Sequence, residues 1–95
     1  MMKRKAKLME PQVRLEDHGI PVIYVHFEFT DPENKGGAAL VFYIGVEKDM
    51  LALKKLMRST ADKSVTGSCE GKTLDIIFNG RTAIGFVAND EEVII

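Results

Sequence analysis

Two segments of the chain alternate apolar and polar residues with the period of two that a strand requires. In "IPVIYVHFEF" (20–29), Ile23, Val25, Phe27 and Phe29 form a strongly apolar face, and Val22, Tyr24, His26 and Glu28 a mixed one. In "AALVFYIGV" (38–46), Leu40, Phe42, Ile44 and Val46 stand on one side, with Ala39, Val41, Tyr43 and Gly45 on the other. An antiparallel pairing that keeps the two apolar faces together places Tyr24 near Tyr43 and His26 near Val41. The connecting "TDPENKGG" (30–37) is rich in turn formers. Upstream, "QVRLE" (12–16) alternates as a short strand and "DHG" (17–19) reads as the turn after it.

The period changes to that of a helix over 48–58. Met50, Leu53, Leu56 and Met57 cluster on one side, with Ala52 at its edge. Glu47, Lys54, Lys55 and Arg58 occupy the other side, with Leu51 in their midst. Acids at the start and bases at the end complement the helix dipole. Beyond the helix, "EG" (70–71) and "NG" (79–80) lie between strand-like runs and predict tight hairpins. A loop at Asn79–Gly80 sets Phe78 against Arg81 and Ile76 against Ala83, and the first turn sets Val65 against Ile76. In that register Leu74, Ile76, Phe78, Ala83 and Val87 share one face, and Ile77, Ile84 and Phe86 the reverse. "EEVII" ends the chain as a last strand or docked tail.

These elements predict an α+β fold: an antiparallel sheet of about six strands, built from meanders and hairpins, under one amphipathic helix, in the order βββαβββ. A length of 95 residues suits a single domain, 1–95. A 45% hydrophobic share supports a core at that size. Residues 1–10, "MMKRKAKLME", are expected to form a flexible basic arm.

Charge is balanced only in total, at a formal net −1. Residues 1–15 hold five bases against Glu10, and residues 16–35 hold five acids against Lys35. The lone Cys69 excludes an internal disulfide. The basic start lacks the apolar stretch of a signal peptide, and no run approaches the ~18 apolar residues of a spanning helix. A cytoplasmic location with no membrane contact is the expectation.

No metal-binding, dinucleotide, phosphate-loop or nucleophile-elbow motif occurs. Tyr24, His26 and Glu28, on one strand face, are the nearest approach to a catalytic group, through a His–Glu hydrogen bond; Cys69 with His26 as its base is another. Both are outweighed by ordinary packing. No catalytic residue, cofactor, metal or small-molecule substrate is therefore assigned, and a non-enzymatic role is expected.

Two surfaces remain. One helix covers one side of a sheet, so the reverse face should carry Tyr24, His26, Val41, Tyr43, Ile77, Ile84 and Phe86 as a contact surface for a protein partner or a second copy. The function expected is thus that of a regulator, adaptor or inhibitor acting by protein–protein contact, through this face or an edge strand such as "EEVII". The alternative is a nucleic-acid-binding accessory protein whose basic surface combines Lys3, Arg4 and Lys5 with Lys54, Lys55 and Arg58.

Overall fold

A computed structural model describes residues 1–60 and 71–95. In these residues the strands are β1 (Met2–Leu8), β2 (Gln12–Leu15), β3 (Pro21–Phe29) and β4 (Gly37–Tyr43), then helix α1 (Glu47–Thr60) and strands β5 (Thr73–Asn79), β6 (Thr82–Ala88) and β7 (Glu91–Ile94). The expected α+β class forms, with one strand more before the helix. Val65 with its pairing, Cys69 and the Glu70 half of the expected turn lie outside the described residues.

Every strand pair is antiparallel. Across the sheet the strands run β4, β3, β1, β5, β6, β7, and β2 continues the line of β1 along the same edge of β3. Pro11, which has no amide proton, stands in the break between β1 and β2. β4 approaches β6 although β3, β1 and β5 lie between them, so the sheet curls into a half-barrel. Helix α1 lies against β4 and β6 on the inner face. No helix among the described residues is long and apolar enough to cross a membrane.

The core is the inner face. Val25, Phe27, Leu40, Phe42, Ile76 and Phe86 are buried under Ala52 and Leu56 of α1, with Met50, Leu53 and Met57 partly buried around them. Asp49 secures the start of the helix by accepting the Tyr43 N–H at 2.9 Å.

Residues 2–8 are not an arm. Strand β1 pairs with β3 on one edge and β5 on the other, which makes it a central strand. Its even residues face inward: Ala6 and Leu8 are fully buried, and Arg4 sits 3.5 Å above the Phe29 ring. Lys3, Lys5 and Lys7 project from the outer face and are exposed. The basic stretch is a strand because its lysines alternate with the inward-facing Arg4, Ala6 and Leu8.

Three register expectations change. First, Tyr24 stands opposite Val41, His26 opposite Ala39 and Tyr43 opposite Val22. The strand enters at Gly37, where a Cβ would lie 2.1 Å from the Phe27 carbonyl oxygen, so glycine permits the close approach that sets this register. Second, β4 ends at Tyr43; the chain turns into α1 and leaves Ile44 and Val46 exposed rather than in the core. Third, the β5–β6 loop is Gly80–Arg81, with the left-handed φ of +63° on Gly80, so Phe78 faces Ala83 and not Arg81. Ile84 is then an extra residue on β6, and this bulge reverses the alternation after it. Ile76 consequently pairs with Phe86, which turns inward, while Val87 turns outward. Beyond it, Asn89 and Asp90 both take left-handed φ, 50° and 64°, and return the chain as β7.

Candidate functional site

The outer face is not the broad apolar surface that alternation alone implies. Tyr24, His26, Val41 and Tyr43 do come together there, on β3 and β4. Ile77 and Ile84 lie on β5 and β6, separated from them by β1 and its outward lysines. Ile77 is only 1% exposed, and Phe86, reversed by the bulge, belongs to the core. Lys3, opposite Ile77, reaches Glu92 at 2.7 Å, and that hydrogen bond and charge raise its pKa above the ordinary lysine value.

Around Tyr24 the outer face is polar and interlocked. Its hydroxyl donates to the Glu16 carboxylate, its ring stacks on His26 with centroids 5.8 Å apart, and the Arg14 guanidinium lies 4.9 Å from the ring. Arg14 in turn donates to the Gln12 amide oxygen at 2.7 Å. The hydrogen bond to Glu16, then burial, then the Glu16 charge push the Tyr24 phenol above its usual pKa, with Arg14 opposing. Nε2 of His26 is buried and has no hydrogen-bond partner among the described residues. The His26–Glu28 bond imagined for catalysis does not form; Tyr24–Glu16 takes its place. Among the described residues no group of His, Cys, Asp and Glu could hold a metal ion.

The basic residues also separate. Lys3 and Lys5 stand on the outer face, while Arg4 turns inward over Phe29 and donates to the Asn34 carbonyl at 3.1 Å. Lys54, Lys55 and Arg58 are on α1, on the opposite side of the sheet, and Lys55 is paired with Glu91 at 3.1 Å. They form no single footprint.

Two further surfaces stand out, the second of them beside the Leu51 and the "EEVII" strand already singled out in the sequence. On the inner face, beyond the helix, the register aligns Leu15 with Pro21, whose carbonyl accepts the Ile44 N–H, and aligns Val13 with Ile23. Val13 and Leu15 are 71% and 73% exposed, and Ile44 is 38% exposed. This apolar shelf borders an edge of β2 that pairs with no strand among the described residues. The alternation of "QVRLE" already places Val13 and Leu15 on one face; what it could not show is that no helix among the described residues covers them. The second surface is a groove of about 470 Å³ between α1 and β7, with Leu51, 53% exposed, on its rim.

Together these define a small, curled antiparallel α+β sheet with one helix in its opening and an uncovered apolar edge strand. The chain matches no family model, no curated protein and no solved structure.

Proposed function

We propose that the protein acts by protein–protein contact, as a regulator, adaptor or inhibitor, and that a partner docks on the β2 shelf. The observation that carries this reading is the pair Val13 and Leu15, more than 70% exposed side by side on an edge strand. Edge strands with apolar, unprotected side chains pair readily with another chain. An extended partner segment would add a strand to β2, its backbone satisfying the open edge and its side chains covering Val13 and Leu15. Burying a valine or leucine contributes about 1.5–3 kcal/mol, enough for two such residues to dominate a small interface. The contact thus moves from the outer face to the uncovered end of the inner one. A nucleic-acid role draws less support, because Lys3 and Lys5 stand on the far side of the sheet from Lys54 and Arg58.

Affinity capture from the native host tests this, comparing the wild-type chain with a Val13→Lys/Leu15→Lys variant whose fold is checked by circular dichroism. The expected result is a specific protein whose recovery falls about tenfold or more with the variant, the loss that truncating an interface anchor produces. Equal recovery by both chains, or no retained protein, overturns the proposal.

A further inference from the structure

The outward stripe of α1 has a charge order that its own copy would complement. Glu47 stands in the first turn, Leu51 one turn on, and Lys54 and Arg58 near the end, all within one narrow face at helical spacing. Leu51 is 53% exposed, and Glu47, Lys54 and Arg58 have no ion-pair partner among the described residues. Beside the stripe lies the groove of about 470 Å³ between α1 and β7, where Ala52, Val93 and Ile94 stand among the charged side chains of Lys48, Lys55, Glu91 and Glu92.

We infer that this face is a contact between two copies of the chain. A two-fold axis across α1 sets the helices antiparallel, and the same patch then meets itself. The acid Glu47 of each copy faces the basic end, Lys54 and Arg58, of the other. Leu51 of each copy, protruding at the middle, seats at the groove of its neighbour beside Ala52 and Val93. A parallel arrangement would instead oppose like charges, so the stripe selects the antiparallel one. A second copy fits better than a uniformly acidic or basic partner, which would satisfy one end of the stripe and repel the other. The contact uses residues separate from the β2 shelf and does not depend on that docking.

Sedimentation velocity on two charge variants tests it. Glu47→Lys makes the stripe wholly basic, and Lys54→Glu/Arg58→Glu makes it wholly acidic; Lys55 is left alone because it holds Glu91. The wild-type chain should dimerise, each variant alone should be a monomer, and an equimolar mixture of the two should recover a dimer. Leu51→Lys should weaken the wild-type dimer at least about tenfold, as loss of a central anchor does, while circular dichroism reports an unchanged fold. A monomeric wild type at high micromolar concentration, a dimer indifferent to Leu51→Lys, or a mixture that fails to associate each overturns the inference. None of these outcomes bears on capture through β2.

Discussion

Tyr24 shows how much one side chain's surroundings decide. Its hydroxyl donates to Glu16, and the donation exists only while the phenol keeps its proton. The pKa is therefore raised, and the sign follows: the stabilisation is fully present below the ordinary phenol pKa of about 10 and disappears as pH rises through the higher folded value. In a Tyr43→Phe background, absorbance titration should show Tyr24 ionising above that ordinary value, and Glu16→Ala should bring it back down. A titration unmoved by Glu16→Ala would mean that the contact does not hold the proton. That Tyr24 and His26 share a face was readable from their spacing. That Glu16, eight residues upstream, would reach Tyr24 was not, since it depends on β2 folding back on β3. Ile84 carries the same lesson: one bulged residue turns Phe86 from a surface candidate into core.

At the scale of elements, α1 and β3 were visible because their apolar periods are strong and uninterrupted. Strand β1 was hidden by composition. Four bases in seven positions suggest a solvated arm, yet Ala6 and Leu8 are fully buried and the strand is paired on both edges. A flexible arm and a central strand differ sharply in energy. Leu8→Ala should cost about 3 kcal/mol in denaturant unfolding, within the range for a buried leucine. Lys5→Ala, on the solvated face, should stay within about 0.5 kcal/mol. A negligible effect of Leu8→Ala would return the segment to the status of an arm.

At the scale of the molecule, the curl of the sheet decides what is surface. Closing β4 toward β6 gathers the apolar residues under one short helix, and the helix does not extend over Val13 and Leu15. The β2 shelf and the α1 stripe then form two surfaces with no shared residues, and effects on separate sites add. Leu51→Lys should weaken dimerisation at least about tenfold and leave capture through β2 intact, while Val13→Lys/Leu15→Lys should weaken capture and leave dimerisation intact. Reciprocal losses would mean one composite interface in place of two.

Alternation, turn formers and a helical stripe by themselves determined the class: an antiparallel sheet under one helix, with Val25, Phe27, Leu40 and Phe42 inside. These are local regularities, set by the geometry of a strand and a helix, and they need no knowledge of neighbours. The tertiary structure alone decided the register, the place of β1 and the surface left uncovered. Register turned on a glycine that lets backbones approach and on one bulged residue, and exposure turned on how far a sheet curls. Leu51 was out of place in its stripe from the start; the groove beside it and the charges above and below it are what the proposed contact with a second copy rests on.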